Sequence, residues 1–172
     1  MSDAGAQHQK SELDKALDAA STRHTGSKEA ALMTVLLGAV FADGESHEAE
    51  LAEFDMLVKR INTFKALSEE QRLKLRSEAL VLVNGTDTAR NDHVRTACIS
   101  LMQLQRGDPK RNTPPMDGIA EAAFAHACDL VFADMKVTEE ERAFLRMLSE
   151  ALDIGELRAK HITQMLGLKN DY

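Results

Sequence analysis

The amino-acid sequence predicts an all-α protein of seven to eight helices. Aromatic residues make up only 4% of the chain, and nine Gly with three Pro are few among 172 residues. Such a composition favours helices over sheets. Apolar residues recur at the three- and four-residue spacing of a helix face through most of the chain. No segment shows a competing strand pattern.

The composition also restricts location and ligands. With 44% apolar and 28% charged residues, the chain can bury a core and keep a polar surface. A net charge of -7 repels phosphate backbones, so no nucleic acid is expected as a ligand. The start of the chain is polar, and the longest apolar segment, Ala30–Ala42, is shorter than a membrane span. We therefore expect a cytoplasmic protein without a membrane span, in which Cys98 and Cys128 are small buried hydrophobic residues.

The first half of the chain is predicted to form five helices. Residues 1–10 carry no periodic pattern and are expected to form a flexible tail. Ser68 and Gln71 have the spacing of a capping box, and Asp87 is expected to cap the helix that ends at Gly107. Residues 30–42 are apolar nearly all round, which indicates a central helix. The predicted helical segments are Leu13–Ala20, Ala30–Ala42, His47–Ile61, Ser68–Val83 and Asp87–Gly107.

The second half begins after a loop that contains all three prolines, residues 107–115. Thr138 and Glu141 again have capping-box spacing. The methionines lie mostly at positions of the apolar stripes, so Met33, Met56 and Met165 are expected to fill the core. The helices predicted here are Met116–Ala133, Thr138–Leu152 and Glu156–Leu166.

An internal repeat relates the two halves. The segment 40–50, Val-Phe-Ala-Asp-Gly-Glu-Ser-His-Glu-Ala-Glu, recurs as Val-Phe-Ala-Asp-Met-Lys-Val-Thr-Glu-Glu-Glu at 131–141. Each copy contains an apolar helix, an Asp, a short loop and an amphipathic helix with a Glu in its first turn. The repeat halves, about 28–62 and 118–152, are therefore predicted to be helical hairpins that pack about a pseudo-twofold axis.

These two hairpins resemble the TerB family of tellurite-resistance proteins, whose fold is shared by the DjlA-type co-chaperone domains. The resemblance covers about residues 30–166 and rests mainly on the two copies of the apolar helix, Asp and Glu. Two positions depart from the family pattern. Met135 stands where the family has Gly, so we expect that loop to turn differently, and His47 stands where a Ser or Thr cap is usual.

The resemblance implies a single TerB-like domain over residues 11–172 that acts without catalysis in tellurite resistance or in the response to metal and oxyanion stress. It also implies a protein partner, for which an integral-membrane component of the tellurite-resistance system at the inner membrane face is one candidate. A homodimer is left open. The sequence supports the non-enzyme prediction, since it contains no nucleophile elbow, no phosphate-binding Gly loop and no Cys-x-x-Cys.

Two hypotheses explain the repeated acids Asp43, Glu50, Asp134 and Glu141. In the metal hypothesis, which the resemblance supports, they converge on a divalent cation. Carboxylate oxygens suit Ca²⁺, Mg²⁺ or Mn²⁺, and participation of His47 would shift the preference toward Zn²⁺. In the capping hypothesis, the two Asp side chains accept hydrogen bonds from loop amides at 44–47 and 135–138. A metal-free protein-interaction scaffold, with an acidic face that docks a basic partner, is then the alternative function. His126, inside an apolar helix, is expected to be a hydrogen-bonded core residue.

Overall fold

A computed structural model describes residues 27–107 and 114–170. The predicted tail 1–10, the segment Leu13–Ala20 and most of the proline-rich loop lie outside these residues. Within them the protein is all-helical, as predicted, with no strand. The eight described helices are α1 (Lys28–Val40), α2 (Glu48–Arg60), α3 (Asn62–Lys65), α4 (Glu69–Val83), α5 (Asp87–Arg106), α6 (Ile119–Val131), α7 (Glu139–Ala151) and α8 (Glu156–Asn170).

Helix α1 is the centre of the fold. Every residue from Ala31 to Val40 is buried, as expected for a helix that is apolar on all sides. It packs most extensively against α5, α4 and α6, and it also contacts α2, α3 and α7. Residues from both repeat halves join one core around it, so neither hairpin buries its apolar surface alone.

Local signals set most helix starts. Ser27 Oγ accepts a hydrogen bond from the amide of Ala30, and the predicted capping box of Ser68 and Gln71 is formed. The prediction for α5 was wrong by one residue, because the cap is Thr86, whose Oγ1 accepts from the amide of Ala89 at 3.4 Å. Thr competes well with Asp for this position, since both place an oxygen near the first free amides of the helix.

The short helix α3 was not predicted. The backbone of Ile61 is extended, with φ -67° and ψ 123°, which ends α2 and starts α3. A helix of four residues is too short to show a periodic pattern, and its reason is tertiary: it carries Phe64 into the core, where this ring is fully buried.

The methionine prediction was wrong for two residues. Met33 is fully buried as expected, but Met56 is 42% exposed and Met165 is 72% exposed. Helix α8 packs mainly on α6, so only its inner face, with Ala159, Ile162 and Leu166, lies against the core. No described helix combines the length and the apolar content that a membrane crossing requires.

Gly38 allows α1 to pack closely against Val94 of α5. A Cβ atom at this position would lie 2.5 Å from Val94 Cγ2 and 3.4 Å from Phe144 Cζ. Such a distance is inside van der Waals contact, so any larger residue forces the two helices apart.

We expect Gly38→Ala to lower the free energy of unfolding by about 1 to 3 kcal/mol because of this overlap. Val94→Ala should cost less in the Gly38→Ala background than in the wild type, since it removes the clashing methyl. The matched control is Gly167→Ala, because a Cβ there meets no atom within 4 Å and alanine favours the helix. Denaturant unfolding measures all four variants, and strictly additive effects of the two core changes would contradict the overlap.

Candidate functional site

The candidate site consists of the two loop–helix junctions of the repeat: the first junction, residues 41–50, and the second junction, residues 132–141. Their backbones turn in the same way. The amide of Gly44 donates to the carbonyl of Phe41 at 3.0 Å, and that of Met135 donates to the carbonyl of Phe132 at 3.2 Å. Gly44 has φ 89° and Met135 has φ 61°. The expectation that Met135 changes the turn was therefore wrong, because this methionine adopts the left-handed backbone.

The aspartates close both turns. Asp43 Oδ1 accepts a hydrogen bond from the amide of Glu45 at 3.0 Å, and Asp134 Oδ1 accepts from the amide of Lys136 at 2.8 Å. These are bonds of the kind that the capping hypothesis expects, with the side chain bonding two residues ahead. Each Asp thus satisfies a loop amide that the preceding helix cannot reach.

The glutamates cap the helices that follow. Glu50 Oε2 accepts from the amide of His47 at 2.9 Å, and Glu141 Oε2 accepts from the amide and the hydroxyl of Thr138 at 2.6 and 2.9 Å. Thr138 Oγ1 in turn accepts from the amide of Glu141, which completes the predicted capping box. Both glutamates are deeply buried, with 1% and 2% exposure. Burial of two carboxylates is unusual and demands compensation.

The glutamates of the two junctions are close enough to interact electrostatically. Burial raises the pKa of Glu50 from its ordinary 4.5 to about 7, and the nearby charges of Glu141 and Asp43 add to this effect. The hydrogen bond from the His47 amide, and the His47 charge, act in the opposite direction. Near neutral pH the Glu50 carboxyl is therefore present in both its protonated and its ionised form. A nearby positive charge would stabilise the ionised form.

His47 lies beside the first junction as a separate partner of Asp43. Its Nε2 is 3.7 Å from Asp43 Oδ2, and its side chain makes no cap hydrogen bond to α2. The ring therefore faces the outer carboxylate oxygen of Asp43, and Glu50 bonds the amide of His47 itself.

A buried arginine on α5 belongs to the same end of the fold and was missed by the sequence analysis. Arg90 is 3% exposed, and its Nη2 donates to the carbonyl of Ala42 at 2.8 Å and to Asp87 at 3.0 Å. It thus holds the loop just beyond the C-terminal end of α1, where the helix dipole favours a cation. A sequence signal existed, because Arg90 shares the apolar stripe of Val94, Ala97 and Leu101.

The structure therefore brings Glu50, Glu141 and Asp43 into electrostatic contact, while Asp134 is engaged with its own loop. Among the described residues, no three His, Cys, Asp or Glu side chains form a group that could hold a metal ion. Each glutamate commits its Oε2 to the backbone of its own junction.

The remaining candidate residues from the sequence are the two cysteines and His126. Cys98 and Cys128 are free and buried, as predicted, and burial raises the pKa of both thiols to about 12, so they are unreactive at neutral pH. His126 is only partly buried, and its Nδ1 has no hydrogen-bond partner among the residues described. Burial lowers the pKa of His126, and the expected hydrogen-bonded core histidine is instead a half-buried ring midway along α6.

No protein-family model, curated protein or solved structure matches this chain. The class that the fold and site define is an all-α protein with two acid-capped helical hairpins.

The left-handed conformation of Met135 predicts a stabilising substitution. The left-handed backbone conformation destabilises a non-glycine residue by about 1 to 2 kcal/mol. The Met135 side chain is 70% exposed, so its removal loses little packing. Met135→Gly should raise the free energy of unfolding by up to about 1 kcal/mol. The reverse change, Gly44→Ala, should lower it, although a Cβ there meets nothing within 4 Å. Thermal melts measure both variants. Melting temperatures that change by the same amount in the same direction for Met135→Gly and Gly44→Ala would contradict this account.

The raised pKa of Glu50 predicts a pH-dependent stability. The folded protein keeps a proton on Glu50 between pH 4.5 and about 7, whereas the unfolded chain releases it, so the free energy of unfolding falls as pH rises through this range. Glu50→Gln retains an acceptor for the His47 amide and lacks the titration. Between pH 4.5 and 8, the free energy of unfolding of Glu50→Gln should therefore rise by about 2 kcal/mol or more relative to that of the wild type. One pKa unit corresponds to roughly 1.4 kcal/mol.

The matched control for this experiment is Glu48→Gln, which neutralises an exposed acid in the same first turn of α2. Urea unfolding at several pH values between 5 and 8 should give parallel curves for Glu48→Gln and wild type. A Glu50→Gln curve that is also parallel to wild type would show that Glu50 titrates normally.

Proposed function

We propose that this protein is a non-catalytic helical module, similar to TerB, that acts in metal or oxyanion stress and binds one divalent cation at the buried glutamate pair. The observation that carries the proposal is the burial of Glu50 and Glu141, two carboxylates from equivalent positions of the repeat that are close enough to interact electrostatically. A cation between them would offset both their mutual repulsion and their loss of hydration.

The residues fit a hard cation with few protein ligands. Each glutamate commits Oε2 to its helix cap, which leaves Oε1 for a metal. Mg²⁺ is commonly held by one or two carboxylates, with water completing its coordination. Asp43, through its outer oxygen, and His47 are the additional groups closest to the first junction. Recruitment of the imidazole would favour Zn²⁺ over Mg²⁺, Ca²⁺ or Mn²⁺.

A second function, a metal-free interaction scaffold, is favoured by a different observation. All four repeated acids already accept hydrogen bonds within their own junctions. The exposed acids Glu45, Glu48, Glu139 and Glu140 border these junctions and would present an acidic face to a basic partner surface. In this proposal the buried glutamates are structural, and the partner is a protein, of which a membrane component of a tellurite-resistance system is one candidate.

Thermal melts in chelator and with Mg²⁺, Ca²⁺, Mn²⁺ or Zn²⁺ distinguish the two functions. If a cation binds, it should raise the melting temperature of the wild type, because a ligand at 100 times its Kd stabilises the folded state by about 2.7 kcal/mol. Glu50→Gln and Glu141→Gln should each abolish this increase. Asp134→Asn should retain most of it, since Asp134 contributes only to its own loop.

The control is Glu139→Gln, which removes an exposed acid from the first turn of α7 and should keep the full response to the cation. No shift of the wild-type melt by any of the four cations at millimolar concentration would end the metal proposal. A shift that Glu139→Gln loses and Glu50→Gln keeps would place binding on the exposed acidic surface instead.

A further inference from the structure

Helix α8 is attached to the described structure more weakly than the other helices. Each of the other seven described helices has at least one buried side chain, whereas none of residues 156–169 is fully buried. Helix α8 packs mainly on α6, and its inner face, with the partly buried Ala159, Ile162 and Leu166, lies against the core. Segments with few buried apolar contacts open at a lower free energy than the core of a protein does.

The side of α8 that faces α7 adds little packing. A groove of about 600 Å³ lies between these two helices, with Phe124, Leu145 and Ala159 among its lining residues. Side chains that border an open groove lack the dense contacts of a protein interior. On the outer face of α8, Leu157 and Leu168 are 69% and 61% exposed. The contacts that stabilise α8 therefore come mostly from α6.

Two ion pairs join the ends of α8 to α6. In the first turn of α8, the guanidinium of Arg158 donates to the two carboxylate oxygens of Glu121 at 3.0 and 2.7 Å. In the last turn, Lys169 Nζ donates to Asp129 Oδ1 at 2.8 Å. Both cationic side chains are more than half exposed. Exposed ion pairs contribute little to stability and are screened by salt, so these pairs orient α8 without holding it strongly.

The connection between α7 and α8 is short, and one of its ends is fixed. Leu152 is 1% exposed, and its amide donates to the carbonyl of Leu148 at 3.0 Å, so α7 ends in the core. Asp153 has a left-handed backbone with φ 54°, and a Cβ atom at Gly155 would meet nothing within 4 Å. Hinges consist of a few loop residues that absorb a change of φ and ψ, and residues 153–155 meet this description.

Helix α8 covers one of the two cysteines. Cys128 is fully buried on α6, and the Thr163 side chain of α8 is near enough to its thiol to lower the pKa, against the larger effect of burial. Cys98 is equally buried, but it lies on α5, which packs on α1, α4, α6 and α7. A movement of α8 alone would therefore expose Cys128 and leave Cys98 covered.

We propose that α8 is a flap that opens from α6 as one unit about residues 153–155, with the two ion pairs as its latch. Opening uncovers the face of α6 that carries Cys128 and joins this face to the groove beside α7. The opening is independent of any cation at the glutamate pair.

Alkylation of the full-length protein by iodoacetamide at neutral pH tests this proposal. Both thiols are buried and have a raised pKa, so each reacts only when the structure around it opens. Mass spectrometry of the two cysteine peptides should show that Cys128 reacts at least about tenfold faster than Cys98. The rate of Cys128 should also depend less steeply on urea, because opening of α8 exposes less surface than unfolding does. Equal rates with equal urea dependence would overturn the flap.

Hydrogen exchange gives a second measurement on the same protein. The amides of residues 160–169 should exchange together, at a lower free energy of opening than the amides of residues 123–131 on α6. Equal protection of the two segments would overturn the proposal, even if Cys128 reacts rapidly, because the reagent would then reach the thiol through the groove.

Substitutions in the latch provide a matched set. Arg158→Gln and Glu121→Gln should each accelerate the reaction of Cys128 by about two- to fivefold, and the double variant should react no faster than either single one. The control is Asp55→Asn, which removes an exposed ion pair of similar length between α2 and α4. This pair stays intact when α8 alone opens, so Asp55→Asn should leave the rate of Cys128 unchanged. The proposal is wrong if Asp55→Asn accelerates Cys128 as much as Arg158→Gln does, or if neither latch substitution changes its rate.

Discussion

The rest of this structure depends on one constraint, the burial of α1 on every side. A helix with apolar residues all round leaves no face for water, so other helices must surround it completely. The space beside it is tight at Gly38, where a Cβ atom would overlap Val94 of α5. Because six helices share this single support, the two repeat halves form one core.

Because α1 is completely buried, the backbone carbonyls of its last turn need hydrogen-bond partners from outside the helix. Helix carbonyls there have no partner within the helix and little access to water. The amides of Phe41 and Ala42 donate to the carbonyls of Leu37 and Ala39, and Arg90 donates to the carbonyl of Ala42 just beyond the helix. The second junction repeats the turn and the capping glutamate. The observed equivalence is local to these junctions, and the pseudo-twofold axis that would relate the complete halves stays a prediction.

The same arrangement explains why the glutamates are the chemically interesting groups. Backbone caps must lie where the helices begin, and both helices begin against the core. Glu50 and Glu141 are thereby buried, and burial, together with the charge of Glu141, raises the pKa of Glu50. A cation beside them would offset the cost of this burial. Helix α8 lacks such constraints, since it packs on α6 along one face and leaves Leu157, Met165 and Leu168 exposed.

The sequence by itself determined what depends on neighbouring residues: the helical class, the caps at Ser68 and Thr138, and the Asp turns. These features involve residues within four positions of each other, so composition and spacing are sufficient. Only the tertiary structure decided that Arg90 is buried, that Met165 faces outward, and that the glutamates of the two copies interact electrostatically. Spacing along one helix shows which residues share a face. Which faces are covered, and which charges lose their water, depends on packing between segments far apart in the chain.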